Sequence, residues 1–272
     1  MGAICQSVDA PAGRHGAHGQ GVSSEVVPYK SDAVSRHCLC ADPGCTGRLA
    51  AGFDSMMRYT AVKSYFSNVH QGGTMKYNLT AKFFPLIFDK YAYALFRKEG
   101  VHLSKKKVRS VYRAMVETTP PLPKGDSFTG NLLMGCYALA FYKAYPDLIS
   151  DTLFHQLVLT LCSSKPMVDG HKKGDAFDEK MLIKKEKDAL LSQDANFEMG
   201  WKFTLQRNED SYDLTYMKCG LCQLGKRENC FHLIRYLCEA DFITYDLMGA
   251  DLQRTQTLAN GGSCCDFHVS KK

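Results

Sequence analysis

The sequence lacks an apolar run long enough to span a bilayer, and residues 1–21 contain no apolar stretch that could serve as a secretory signal. It also has little excess charge: the net charge is +6 and is spread along the chain. Short basic runs at 105–107 and 184–187 are expected to be solvated helix faces. We therefore expect no transmembrane segment, no nucleic-acid partner and a cytoplasmic location.

Cysteine, by contrast, is abundant, with 12 residues among 272. Without a secretory signal a reducing compartment is expected, in which thiols stay free and are buried, catalytic or bound to metal. The segment C-G-L-C at 219–222, followed by Cys230 and Cys238, could hold zinc, although a regular zinc ribbon carries a second tight pair. This alternative stays open, and our expectation is a protein without metal or other cofactor.

The first 50 residues differ in composition from the remainder of the chain. They are rich in Gly, Ser, Ala and His and have no apolar periodicity, which predicts a disordered leader over 1–50. The start matches a myristoylation motif in part, because Gln6 stands where Ser or Thr is required. An unmodified start is favoured, and lipid anchoring at Gly2 and Cys5 is the alternative. Residues 51–272 are predicted to form a single domain.

Residues 51–193 are predicted to form a helical part. Apolar residues recur at steps of three and four, which predicts one buried helix face made of Phe83, Phe84, Ile87, Phe88, Tyr91 and Leu95. Gly100 should end that helix. Further helices are predicted over 104–117, 130–145, 147–162 and 178–191.

Residues 194–272 are predicted to form a sheet. Alternating apolar residues indicate strands at 199–205, 212–216, 251–258 and 263–269, with a helix over 229–248 between the second and third strands. The fold class is therefore α+β, in which a helical N-terminal part precedes a four-stranded antiparallel sheet that carries a long helix.

The register of the last two strands decides which polar residues share a face. Asn-Gly at 260–261 favours a two-residue hairpin turn. Such a turn pairs Gln256 with Cys265 and brings Arg254 onto the same apolar face. If Gly262 also joins the loop, Thr255 replaces Arg254 on that face. The first register is favoured because it directs the leucines of these strands toward the core.

A carboxyl group and a thiol are predicted on the apolar stripe of the long helix. Cys238 and Asp241 lie one turn apart, and a buried carboxylate must be protonated, paired or hydrogen-bonded. Asp241 either pairs with Arg254 and locks the helix to the sheet, or both side chains point into a pocket. A thiol beside a cation is an activated nucleophile, which favours Cys265 and leaves Cys238 as its rival.

The order of these motifs is similar to that of a known family. The sequence reads C-G-L-C at 219–222, Y-L-C-E-A-D at 236–241, R-T-Q-T-L-A at 254–259 and G-G-S-C-C-D-F at 261–267. This combination resembles the L-2-amino-thiazoline-4-carboxylic acid hydrolase family. The resemblance implies hydrolytic opening of a cyclic amidine or thiazoline-type ring, at a carbon–nitrogen or carbon–sulfur bond, in a small substrate that carries a carboxylate.

Within that reaction the candidate residues take distinct roles. We expect Cys265 to be the nucleophile, with Cys238 as the alternative, and Asp241 to be the general acid/base. The planar fork of Arg254 would bind the substrate carboxylate. The same substrate-binding group would include Thr255, Gln256 and Asp266. Attack by a thiol and direct attack by water both fit.

A second class of function stays open, because the cysteine-rich region would also suit a non-catalytic protein. Such a protein would bind a small ligand, hold zinc or respond to oxidation. The sequence carries no signal for the oligomeric state.

Overall fold

The computed structural model describes residues 73–194 and 196–272. The predicted leader over 1–50, the lipid-anchor positions Gly2 and Cys5 and the domain boundary at residue 51 lie outside the described residues. Within the part that is described, no helix combines the length and apolar character needed to cross a membrane.

Six helices precede the sheet in the described part of the chain. They are α1 (Leu79–Lys98), α2 (Lys105–Thr118), α3 (Thr129–Ala144), α4 (Asp151–Cys162), α5 (Lys165–His171) and α6 (Glu179–Asp194). The sequence predicted all of these helices except α5. Serine side chains cap two of them: Ser104 accepts the amide hydrogen of Lys107 at the start of α2, and Ser150 accepts that of Leu153 at the start of α4.

The buried face of α1 differs from the predicted one. Phe88 is buried as expected, but Phe83 is 56% exposed. The buried face includes the carboxylate of Asp89, which accepts two hydrogen bonds from Arg109 of α2, at 3.0 and 2.6 Å, and one from Tyr137 of α3, at 2.8 Å. Because a buried charge needs partners, α1 directs Asp89 inward toward Arg109 and Tyr137, and apolar periodicity alone does not reveal this.

The C-terminal part contains the four strands and two further helices. These are β1 (Lys202–Arg207), β2 (Ser211–Lys218), α7 (Gly220–Arg227), α8 (Ile234–Leu247), β3 (Ala250–Gln253) and β4 (Cys265–Lys271). All neighbouring strands are antiparallel, in the order β1-β2-β4-β3. The predicted α+β fold class is confirmed.

One face of the sheet is apolar and packs against the helices. It carries buried side chains from every strand: Phe203, Tyr212, Leu214, Ala250, Leu252, Cys265, Phe267 and Val269. The helix α6 packs on β1, and α8 packs between β3 and α4. The apolar face thus holds α8 against the end of the sheet where the predicted site residues lie.

The last two strands pair in the predicted register but over a shorter length. Leu252 lies opposite Val269, and the ladder ends at Gln253. The predicted two-residue hairpin is wrong, because residues 254–264 leave the sheet and include a short 3₁₀ helix at Leu258–Asn260. The amides that would continue the ladder bind the side chain of Asp266 instead.

The segment after β2 also differs from the prediction. Between β2 and the long helix the sequence predicted no further helix, and the structure has the eight-residue helix α7 there. Its first residue must be glycine, since a Cβ atom on Gly220 would lie 2.2 Å from the carbonyl oxygen of Met199 and 2.4 Å from the ring of Trp201. The long helix then begins at Ile234 rather than near residue 229.

Candidate functional site

Arg254 occupies the interior end of the site. It follows the last paired residue of β3, and its side chain is 6% exposed. Nη1 donates to Oδ2 of Asp241 at 3.0 Å, and Nη2 donates to the carbonyl oxygen of Cys238 at 3.1 Å. The guanidinium also contacts two aromatic rings, with its central carbon 4.8 Å from the ring centroid of Phe242 and 5.1 Å from that of Phe267.

The carboxyl group of Asp241 is partly exposed and is held by Arg254. Its side chain is 38% exposed, yet desolvation raises its pKa to about 6 despite the opposing effect of Arg254. Partial exposure together with desolvation is what a carboxyl group in a concave site experiences, so we infer that Asp241 faces a recess of the protein. Oδ2 is bound to Arg254, and among the described residues Oδ1 has no hydrogen-bond partner.

The two predicted nucleophiles lie beside this pair. Cys265, the first residue of β4, is buried, and its Sγ accepts the amide hydrogen of Leu258 at 3.2 Å. Burial raises the pKa of the Cys265 thiol to about 11, although Leu258 and Arg254 act in the opposite direction. Burial and the charge of Asp241 also raise the pKa of Cys238.

Arg254 lowers the pKa of the Cys265 thiol, as expected, but burial has the larger effect and the net pKa is raised. Arg254 does lie near the thiol, but its charge is already paired with Asp241, and the loss of water around Cys265 outweighs what attraction remains. The role of Cys265 as nucleophile stays a prediction.

Hydrogen bonds join three predicted substrate-binding residues, Thr255, Gln256 and Asp266, and hold the loop after β3. The carboxylate of Asp266 accepts hydrogen bonds from the amides of Thr255, at 3.1 Å, and Gln256, at 2.8 Å, and from the hydroxyl of Thr255. Desolvation raises the pKa of Asp266, but these hydrogen bonds outweigh it and leave the pKa below its ordinary value. The structure brings the three residues together on the side of the sheet away from Cys265.

The side chain of Gln256 closes the other end of the same loop. Its Oε1 accepts hydrogen bonds from the amide of Ser263 at 3.1 Å and from the hydroxyl of Ser263 at 3.4 Å. A Cβ atom on Gly262 would lie 2.9 Å from that Oε1. The G-G and R-T-Q-T motifs thus fit each other, and their contacts fix the path that carries Arg254 into the interior.

Cys219 and Cys222, at the start of α7, belong to the group of cysteines whose spacing left zinc binding open. Across 73–194 and 196–272, no group of three or more His, Cys, Asp or Glu side chains is arranged to hold a metal ion. Cys230 lies apart from the pair, because its thiol donates to the carbonyl oxygen of Glu228 at 3.3 Å. The spacing of the four cysteines therefore does not correspond to one tetrahedral site.

The electrostatic setting of Cys219 differs from that of the other thiols near the cavity. A hydrogen bond from the Cys222 thiol is the largest of the effects that hold the pKa of Cys219 below its ordinary value, against desolvation. The amides of Leu221 and Cys222 act in the same direction at the N-terminus of α7, although neither makes a well-aligned capping hydrogen bond. The sequence signal for this arrangement was the C-x-x-C spacing directly before a helix.

A lysine of α6 also belongs to the site and was not predicted. Lys185 lies in the basic run that was assigned to a solvated face, yet it is half-buried, and its Nζ donates to the hydroxyl of Tyr245 at 3.2 Å. The sequence held a signal for this position: Lys185 lies three residues after Leu182 and four before Ala189, which are both buried.

A separate cleft of about 490 Å³ opens on the other side of α8. It is lined by Ser163, Val168, Phe242, Ile243, Asp246, Leu247, Ala250, Asp251 and Leu252. None of the site residues predicted from the sequence lines it, and the candidate active site is the group of residues around Asp241 and Arg254.

Comparison with known proteins supports the resemblance over the C-terminal part. Residues 160–269 match the model of the L-2-amino-thiazoline-4-carboxylic acid hydrolase family. The matched segment contains every site residue named above, and the family name implies a hydrolase. No curated protein sequence matches the chain.

Two solved structures share a distant likeness. They are the unliganded Fe(II) H-NOX protein from K. algicida and a point mutant of it, each 12% identical to this chain. The alignments cover 69% of this chain and 95% of theirs, with TM-scores of 0.26 and 0.27. A likeness at that level carries no argument about this protein.

Proposed function

We propose that this chain hydrolyses a carbon–nitrogen or carbon–sulfur bond in a small cyclic amidine that carries a carboxylate, with Asp241 as general acid/base. The observation that carries the proposal is the Asp241–Arg254 pair, in which the guanidinium holds Oδ2 of a partly exposed carboxyl group and desolvation raises the pKa of that carboxyl to about 6. The family match over 160–269 supports the reaction type.

The chemistry follows from the position of the Asp241 carboxylate. A general base works best when its pKa is close to the operating pH, and a pKa of about 6 leaves Asp241 mostly ionised at neutral pH. Oδ1 takes a proton from a water molecule, whose oxygen bonds to the amidine carbon. The ring carbon–sulfur bond then breaks, and Asp241 returns the proton to the departing sulfur. The second water proton ends on the ring nitrogen as the carbonyl forms, giving a carbamoyl thiol.

Direct attack by water is favoured over attack by a thiol. With a pKa of about 11, only about one Cys265 thiol in ten thousand is ionised at pH 7. The pKa of Cys238 is also raised. Both thiols contribute to the walls beside the pair, and in the favoured mechanism they shape the cavity without forming a bond to the substrate.

The proposal is tested by turnover of 2-amino-thiazoline-4-carboxylate. Asp241→Asn should lower kcat by about a hundredfold or more, the scale expected for removal of a general base. Asp246→Asn is the matched control, because Asp246 lies on the same helix in an exposed ion pair with Lys272. Cys265→Ser and Cys238→Ser should keep kcat within a few-fold of wild type.

Two outcomes would contradict parts of this proposal. Full activity of Asp241→Asn would remove the assigned base. A dead Cys265→Ser or Cys238→Ser variant that still folds would replace the water mechanism by a covalent one, through a thioester-like intermediate on that residue. The cytoplasmic location and the independence from cofactors stay predictions.

The Cys219–Cys222 pair favours a second candidate function, that of a redox-responsive module. Two thiols three residues apart at the start of α7, one of them with a lowered pKa, can form a disulfide when a peroxide is present. The Cys219 thiolate attacks a peroxide oxygen, the O–O bond breaks with departure of hydroxide, and Cys219 becomes a sulfenic acid. The Cys222 thiol then converts the sulfenic acid to the disulfide with release of water.

Peptide mass spectrometry after stoichiometric hydrogen peroxide tests this candidate. A 219–222 disulfide should form in the wild-type protein and be absent from Cys222→Ser. Cys230→Ser is the control, since Cys230 lies apart from the pair. If peroxide leaves both thiols reduced, the redox function is excluded.

A further inference from the structure

Lys185 lies on the buried face of α6, three residues after Leu182 and four before Ala189. Its neighbour Lys184 is 56% exposed and pairs with Asp188 one turn along α6. The ammonium group of Lys185 instead reaches the hydroxyl of Tyr245, and it lies 5.5 Å from the ring centroid of Tyr245 and 5.7 Å from that of Tyr212. Two aromatic rings and one hydroxyl thus replace the water that surrounds an ordinary lysine.

This ammonium group has no anionic partner within the described structure. Lys185 forms no ion pair there, and desolvation lowers its pKa to about 8. Asp241 is the acidic group whose charge acts on Lys185, and it is already bound to Arg254. A desolvated cation without a counter-ion is unfavourable, and an anionic ligand would relieve that cost.

The position of Lys185 relative to Asp241 fits a small ligand. Asp241 and Tyr245 are four residues apart on α8, so their side chains share a face with about 5–6 Å between Cβ atoms. Lys185 contacts the Tyr245 end of that face, and Arg254 contacts the Asp241 end. The charge of Arg254 is neutralised by Asp241, whereas Lys185 has no ion pair among the described residues and can bind an added anion.

We propose that Lys185 binds the carboxylate of the small molecule that the site beside Asp241 accepts. The hydroxyl of Tyr245 accepts a hydrogen bond from Nζ and holds the ammonium group beside α8. A ligand anchored in this way would extend one helical turn toward Asp241, which places its ring beside the proposed base. The inference rests on the proposed function for its class of ligand, but it concerns binding and not turnover.

The test measures binding of a ligand pair that the proposed reaction does not consume. Thiazolidine-4-carboxylate lacks the amidine carbon, and its 4-carboxamide differs only at the group in question. In calorimetric titrations at pH 7 the wild-type protein should bind the carboxylate at least tenfold more tightly than the carboxamide. Lys185→Met should remove this difference, and the exposed control Lys184→Met should keep it.

The pH dependence of binding is a second test of the role of Lys185. The groups that face Lys185 are Tyr245 and Asp241 of α8 and Tyr212 of β2. Because the lysine must be protonated to hold an anion, preference for the carboxylate should fall as the pH rises through about 8. Lys185→Met removes a desolvated charge, so its melting temperature should not be lower than that of the wild type. Lys185→Gln serves as the second variant should the methionine protein fail to fold.

Each outcome decides the inference. Equal binding of the two probes, absence of binding by both, or a preference that survives in folded Lys185→Met or Lys185→Gln would overturn it. A preference that depends on Lys185 in a protein that does not hydrolyse 2-amino-thiazoline-4-carboxylate would leave this inference standing and refute the proposed function. Asp241-dependent hydrolysis without a Lys185-dependent preference would do the reverse.

Discussion

The carboxylate of Asp241 covers the guanidinium of Arg254, so the carboxylate is the more exposed of the two groups. The two groups are 3.0 Å apart, yet the arginine side chain is 6% exposed and the aspartate side chain is 38% exposed. A ligand that enters the cavity therefore meets the carboxylate before the cation. A substrate carboxylate would be repelled at this point, which argues for Arg254 as a positioning residue that holds Asp241 in place.

Arg254→Lys should lower the free energy of unfolding by roughly 1–3 kcal/mol, because an ammonium group cannot reproduce both hydrogen bonds and the contacts with two rings. Urea denaturation measures the loss. Carboxylate and carboxamide ligands should weaken equally, and Arg207→Lys in the exposed pair with Glu179 is the control. Normal stability with a loss confined to carboxylate ligands would restore the clamp role expected from the sequence.

The activity should depend on pH through Asp241. The proposed base acts in its ionised form, and its pKa is raised to about 6, so kcat/KM should rise with pH through about 6 and then level off. Residual activity of Asp241→Asn should lack this rise. A rise centred near the ordinary value of 3.8 would mean that the cavity does not desolvate the carboxyl group.

The order of thiol labelling separates the cysteines. With limiting iodoacetamide at pH 7, Cys219 should react before Cys265, since the pKa of the first is lowered and that of the second is raised to about 11. Peptide mass spectrometry resolves the two sites. Cys222→Ala should slow the reaction at Cys219 by removing its hydrogen-bond donor, while Cys230→Ala should not. If Cys265 is labelled before Cys219, Cys265 again becomes the favoured nucleophile, as the sequence predicted.

Two glycine-to-alanine substitutions should change stability in opposite directions. Gly220→Ala forces a methyl group against the Met199 carbonyl and the Trp201 ring, and should cost about 1–3 kcal/mol. Gly130→Ala in α3 has no neighbouring atom within 4 Å of the new Cβ and should stabilise the protein by about 0.5–1 kcal/mol. Denaturation of both variants checks the pair. A neutral Gly220→Ala would show that the start of α7 can shift.

The sequence predicted the pairing of β3 with β4 because apolar alternation fixes which face is buried. It could not predict where that pairing stops. The ladder ends where the side chain of Asp266 takes the amides of Thr255 and Gln256. Competition of this kind between a side chain and the backbone depends on tertiary placement and leaves no periodic signal.

The sequence predicted those features of the site that follow from the position of a residue along a helix or strand. Helical spacing placed Asp241 on the inner face of α8, and strand register placed Arg254 near Cys265. The ionisation of Cys265 was not predictable, because it depends mainly on how much water the folded chain removes from around the thiol. Lys185 was missed because its sequence neighbours are charged, although its spacing from Leu182 and Ala189 indicated the buried face.

Residues 254–264 lie outside the strand ladder, so the interactions that hold the sheet together differ from those that shape the site. The backbone pairing at Gln253 and Cys265 fixes where this excursion starts and ends, whereas its interior is held by side-chain contacts and by local backbone hydrogen bonds such as that from the amide of Gly262 to the carbonyl oxygen of Thr257. Changes in the length of this loop cost little entropy, since the entropy of closing a loop grows slowly with length, and they can reshape the site where the contacts of Arg254 and Asp266 are kept. Relatives that share the framework of this sheet can therefore diverge in the molecules that they accept.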